Sequence, residues 1–208
     1  MRLDQPLDDV FATRSHARIL RALVRLPEGF PASAREIARR AGVAHPTALR
    51  VLASLLDQGV VFLSRAPRAD LYRLNSDHVV TEQLVPLFEG ETILRAELLA
   101  LLRDRIEAKA PFVSAAFLFG SAAAESMRPD SDIDLAIVCP RDHAGDVDGA
   151  MEPVEDAIRR RFGNRLSVLV GVGSIQTLTK GGRSGARLWR SVVGSGTRVL
   201  PERSRRHA

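Results

Sequence analysis

Asp132 and Asp134 are the two side chains in this sequence best spaced to do chemistry together. On a strand, residues i and i+2 point to the same face, so the two carboxylates converge while Ile133 turns into the core. Carboxylates held side by side repel each other unless a cation joins them. A hard, octahedral ion such as Mg²⁺ takes carboxylate oxygens together with phosphate oxygens. Ten residues ahead of the pair stand Gly120 and Ser121. Gly120 permits close backbone approach, and a helix opened by Ser121 would turn free N–H groups toward phosphate. The combination predicts a cradle for phosphate oxygens with a bound divalent metal. A polar turn before an edge strand is the plainer explanation, but a turn does not require this spacing.

The elements needed to position these groups can be read around them. The apolar run Phe112–Phe119 predicts a strand entering Gly120, and Leu135–Val138 a second strand leaving the aspartates. A helix over Met151–Phe162 and a third strand over Arg165–Val170 follow. The whole string FLFGSAAAESMRPDSDIDLAIV resembles the nucleotidyltransferase superfamily related to DNA polymerase β. It is most similar to the minimal nucleotidyltransferase branch, marked by Gly-Ser, ten residues and Asp-x-Asp. The resemblance implies Asp132 and Asp134 as catalytic residues and metal ligands, Gly120 and Ser121 as nucleotide-binding residues, Mg²⁺ as cofactor and a nucleoside triphosphate as ligand.

It also implies a third acid on a later strand, the base for the attacking hydroxyl and a ligand of a second metal. The apolar pattern aligns that position with Ser167, which cannot replace a carboxylate as base or strong metal ligand. Relatives carry arginines and a glycine after the Gly-Ser, where this chain has Ala122, Ala123, Ala124 and Glu125. Both departures predict weak or lost transfer with nucleotide binding retained. The alternative is an active enzyme moving a nucleoside monophosphate onto a protein or small-molecule hydroxyl, with Asp146 or Asp148 as the base. Arg183 and Arg187, within Lys180–Arg190, are candidates for the missing phosphate contacts, although a solvated helical face explains them as well. Relatives in the minimal branch act as antitoxins, which implies a toxin as protein partner.

The N-terminal part follows another pattern. Ile19, Leu20, Leu23, Val24 and Leu26 give an amphipathic helix that stops at Pro27-Glu28-Gly29. Ser33 and Glu36 have capping-box spacing and open a helix over Ala34–Arg40, which Gly42 ends. Pro46 suits the first turn of a further helix reaching about Gln58, with Val51, Leu52, Leu55 and Leu56 buried and Gly59 as its stop. Strands Val60–Arg65 and Leu71–Leu74 follow around a turn at residues 66–70. Helix, capped helix, glycine turn, helix and hairpin together resemble the winged helix-turn-helix of bacterial transcriptional regulators. The resemblance implies double-stranded DNA as partner, with His45, Thr47 and Arg50 toward base edges and Arg68 at the wing tip. A protein-interaction winged helix is the alternative.

Charge supports the DNA reading. Residues 1–80 hold twelve arginines against eight acids, and residues 81–208 hold eighteen basic against seventeen acidic residues. The positive excess therefore sits at the N-terminal end, where a phosphate-binding module would place it. The expected organisation is a winged helix-turn-helix at 1–78, a helical connector at 79–109 and a nucleotidyltransferase-like domain at 110–208, an α/β (α+β) chain with a mixed sheet flanked by helices.

In the connector, Val80, Leu84, Leu87, Leu94, Leu98 and Leu101 form a heptad-like stripe interrupted by Glu91, while Pro86 and Gly90 argue against one unbroken helix. The stripe suits either packing on both domains or a homodimer. Cys139 is the single cysteine, which excludes an internal disulfide and reads as packing. No apolar run approaches a membrane span and the N-terminus lacks a signal core, so a cytoplasmic location is expected.

Overall fold

The computed structural model describes residues 7–200 apart from Glu28, Arg68, Glu125, Pro129, Gly182 and Arg183. It divides into two compact units between Ile93 and Leu94.

The first unit opens with α1 (Leu7–Val10) and α2 (Arg14–Val24). A two-residue strand β1 (Ala32–Ser33) leads into α3 (Ala34–Ala41), and α4 (His45–Asp57) follows. The hairpin β2 (Val61–Arg65) and β3 (Asp70–Leu74) completes a three-stranded antiparallel sheet in the order β1-β3-β2. Ser33 caps α3, its hydroxyl accepting from the Glu36 N–H at 3.3 Å. Only half of the expected capping box forms. The Glu36 carboxylate turns outward to Arg39 and Arg40, at 2.7 and 2.6 Å, because two guanidinium donors outcompete one backbone N–H. These partners hold the Glu36 carboxyl at about 2. Gly42 ends α3 with a φ of 61°, the left-handed conformation that lets the chain turn at once into α4. Ile19, Leu20, Ile37, Leu52 and Leu55 fill the core between the helices. Strand β1 was not expected, since two residues after a proline carry no periodicity for a pattern to detect.

The stretch expected to break at Pro86 and Gly90 is instead one helix, α5 (Val79–Lys109). Val80, Leu84 and Phe88 belong to the first core, and Leu98, Leu102 and Ile106 to the second. An interior proline costs about 3 kcal/mol, whereas each buried apolar side chain contributes about 1.5–3 kcal/mol, so burial wins on both halves. The buried positions repeat every four residues within each half, not along one heptad seam. Two members of the expected stripe, Leu87 and Leu94, are accordingly 60% and 50% exposed. Glu91, the apparent interruption, accepts from Arg21 of α2 at 2.7 Å.

The second unit continues with β4 (Ala115–Phe119), α6 (Gly120–Ala123), β5 (Ile133–Cys139) and α7 (Val147–Phe162). Then come β6 (Leu166–Val172), α8 (Ile175–Thr179), α9 (Ser184–Ser195) and β7 (Thr197–Leu200). The strands form a mixed sheet in the order β6-β5-β4-β7, with β5 and β6 parallel and the other pairs antiparallel. Strand β4 begins only at Ala115, later than the apolar run suggested. Phe112 instead stacks on His143, with ring centroids 4.8 Å apart.

Alternation along β5 separates two packed faces. Ile133, Leu135 and Ile137 meet Leu102 of α5 and Val154 and Ile158 of α7, while Ala136 and Val138 share the opposite face with Phe117, Trp189 and Val192. Gly171 admits the Trp189 ring on that second face, since a Cβ there would stand 2.4 Å from it. No described helix is long and apolar enough to cross a membrane.

Candidate functional site

The Asp-x-Asp pair sits where β5 begins. Asp134 lies in register with Phe119 on one side and with Ser167 on the other. It shares the face of Ala136 and Val138, while Ile133 is buried on the opposite face as expected. Asp132 stands one residue ahead of the strand and is exposed. Burial, and then the neighbouring charge of Asp132, push the Asp134 carboxyl above its ordinary value.

Gly120 lies against this carboxylate. Its φ is +65°, and a Cβ built on it would stand 2.1 Å from Asp134 Oδ2. Backbone conformation and space therefore both require glycine here. Helix α6 opens at Gly120, not at Ser121 as expected, and runs for four residues after an extended Phe119. Ser121 is half-buried in its first turn, and its carbonyl accepts from the Ser126 N–H at 3.0 Å.

Several residues that sequence reasoning passed over hold this geometry. Asn164 Nδ2 donates to the Ser131 carbonyl at 2.9 Å, and the Ile133 N–H donates to the Arg165 carbonyl at 2.9 Å. The Ser131 hydroxyl accepts from the Arg128 N–H at 2.9 Å, closing the turn just before Asp132. Arg95 of α5 donates to the Ala122 carbonyl and, at 2.7 Å, to the Thr197 hydroxyl, tying α6 to β7. Asn164 carried one faint signal, its position beside Gly163, whose φ of 78° ends α7.

The structure does not bring Asp146 or Asp148 to the pair. Both follow the far end of β5, and Asp146 is bound to His143 at 2.9 Å. Among the described residues, no group of three or more acidic, histidine or cysteine side chains gathers as a metal site. Two carboxylates against a glycine fit one hard divalent cation whose remaining positions phosphate oxygens would fill; they do not fit two such ions. Arg187 is exposed on α9, and Arg183 lies outside the described residues. Cys139 is fully buried, and burial raises its thiol, as a packing role requires.

In the first unit, His45 and Arg50 are exposed on α4, whereas Thr47 is half-buried and less open to a partner. Arg68 lies outside the described residues. His45 and Leu49 border a hollow of about 380 Å³ with Ala34 and Arg35 of α3 and Ala69 beside the hairpin. Arg35 was not anticipated, because it lies one helix earlier and only the fold sets it next to His45. On another side, Arg18 and Arg21 of α2 and Arg25 just after it border, with Arg39 and Arg40 of α3, a hollow of about 580 Å³.

Two family models match the chain. Residues 13–69 match the MarR family, and residues 104–168 match the polymerase beta nucleotidyltransferases. The second match spans Gly120, both aspartates and Ser167. No curated protein matches the chain. Among solved structures, it is similar to TrmBL2, described as an archaeal chromatin protein with a novel mode of DNA binding, at 19% identity, 76% of this chain, 64% of that chain and a TM-score of 0.28. It is also similar to PigF with SAH, at 16% identity, 85% of this chain, 63% of that chain and a TM-score of 0.25. The chain thus spans less than two thirds of the length of either.

Proposed function

For a chain that joins a MarR-family winged helix domain to a polymerase beta nucleotidyltransferase domain, we propose the function of a DNA-binding transcriptional regulator whose second domain binds a nucleoside triphosphate with Mg²⁺ and has weak or no transfer activity. The observation that carries this reading is the place of Asp134, between Gly120 and Ser167. Asp132 and Asp134 would hold the metal, which when bound neutralises triphosphate charge and orients it. Gly120 leaves the room this needs, and Ser121 presents the first turn of α6. Ser167, across the ladder from Asp134, offers a neutral hydroxyl that donates a hydrogen bond but does not remove a proton near neutral pH.

General-base assistance is typically worth about 10²–10⁴-fold, so the site is expected to bind far better than it transfers. For the first unit, the exposed His45 and Arg50, with Arg35 alongside, support base and backbone contacts, and the arginine excess supports phosphate attraction. A homodimer on two half-sites and an antitoxin role with a toxin partner belong to the same proposal.

The test pairs two assays on the full chain. Incubation with each α-labelled nucleoside triphosphate and Mg²⁺ should leave protein and small hydroxyl acceptors unlabelled, while equilibrium dialysis shows the triphosphate bound. Strong labelling lost in Asp132→Asn would overturn the silent-site reading.

A further inference from the structure

We propose that Arg165 is a phosphate-binding residue of the Asp132–Asp134 site, its guanidinium taking the triphosphate of a nucleotide held at the two aspartates; this rests on the nucleotide-binding reading above. The parallel ladder pairs Ile133 with Leu166 and Asp134 with Ser167. Asp132 and Arg165 each stand one residue ahead of their strands, and the Ile133 N–H donates to the Arg165 carbonyl at 2.9 Å, which ties the Arg165 backbone to the start of β5. Partners in a ladder share a face, and residues two apart on a strand share it again. Ser167 therefore shares the face of Asp134, and Arg165 stands two residues ahead of it, at the end of the sheet where both aspartates stand. Its side chain is exposed. No ion pair joins it to a carboxylate among the described residues.

Charge bookkeeping points the same way. The loop after Gly120-Ser121 is Ala122-Ala123-Ala124, without a cation where a triphosphate wants one. Replacing one carboxylate and one divalent cation by a single guanidinium leaves the local charge unchanged. Ser167 in place of an acid, with Arg165 two residues before it, makes that exchange. A planar guanidinium also meets phosphate oxygens through two parallel, charge-assisted N–H donors.

The test is calorimetric titration of the full-length wild type, Arg165→Gln and Arg165→Lys, with Mg²⁺, using the four common nucleoside triphosphates and their monophosphates. A charge-assisted contact to phosphate supports a loss of about 10–100-fold in triphosphate affinity for Arg165→Gln, with partial retention in Arg165→Lys. Monophosphate affinity should change much less, an asymmetry that a merely structural role would not produce. Circular dichroism should be unchanged, since the residue serves the ladder through its backbone. Equal triphosphate binding by wild type and Arg165→Gln, or equal losses for mono- and triphosphate, overturns the proposal alone. Absence of any nucleotide binding by wild type overturns the nucleotide reading and this proposal with it.

Discussion

Gly120 carries two constraints at once, a positive φ and a carboxylate against its Cα. Gly120→Ala should therefore lower stability by more than about 1 kcal/mol and abolish Mg²⁺-dependent nucleotide binding; thermal melts and titration check the two effects separately. Asp134 gives a signed pH prediction. Its folded carboxyl titrates above the ordinary aspartate value, so its ionisation costs stability above that raised value and costs nothing below the unfolded one. Asp134→Asn should thus raise the melting temperature of the metal-free protein near neutral pH. The gain should shrink as pH falls through the window and vanish below the ordinary aspartate range. A gain that persists unchanged in acid would contradict this origin. Ser167→Asp should raise nucleotide transfer from its low base, because the ladder sets position 167 beside Asp134; transfer indifferent to this change would show that position 167 does not control the chemistry. The approach of Gly120 to Asp134 was legible because the spacing of Gly-Ser and Asp-x-Asp is itself the signal. Asn164, Arg95 and Arg35 were not, because they act from other elements through contacts that only the fold creates.

At the scale of elements, the helices with capping residues and glycine stops were legible to within a few residues. Ser33 and Gly42 bound α3 as their chemistry demands. The long helix α5 was not legible, because Pro86 and Gly90 are local signals and its continuity comes from burial on each half. Of the heptad-like stripe, Leu84 and Leu98 pack within the cores while Leu87 and Leu94 stay exposed, and Phe88 and Leu102, which also pack there, were passed over. Leu84→Ala should cost about 2–5 kcal/mol as a cavity in the first core, whereas Leu87→Ala should change stability by no more than about 0.5 kcal/mol. Denaturant melts distinguish the two, and equal costs would restore the heptad stripe. The strand β1 and the late start of β4 were missed for a related reason. Short pairings are selected by a partner strand, and apolar runs do not mark where hydrogen bonding begins.

At the scale of the whole molecule, a MarR-family match at 13–69 and a polymerase beta nucleotidyltransferase match at 104–168 share one chain. The winged helix surface predicts binding to duplex DNA that weakens steeply with salt, since arginine–phosphate contacts release counterions. Arg50→Ala should cost about 1–3 kcal/mol on a specific site and much less on random DNA if it reads a base edge. Equal losses on both would assign Arg50 to the backbone. The aspartate pair in the second unit bears the central claim, and one experiment reaches it most directly: calorimetric titration of the full chain with nucleoside triphosphates, with and without Mg²⁺, in wild type, Asp132→Asn and Asp134→Asn. The account predicts saturable binding by wild type that requires Mg²⁺ and weakens in both variants. Binding of equal affinity in all three proteins, with or without Mg²⁺, would contradict it.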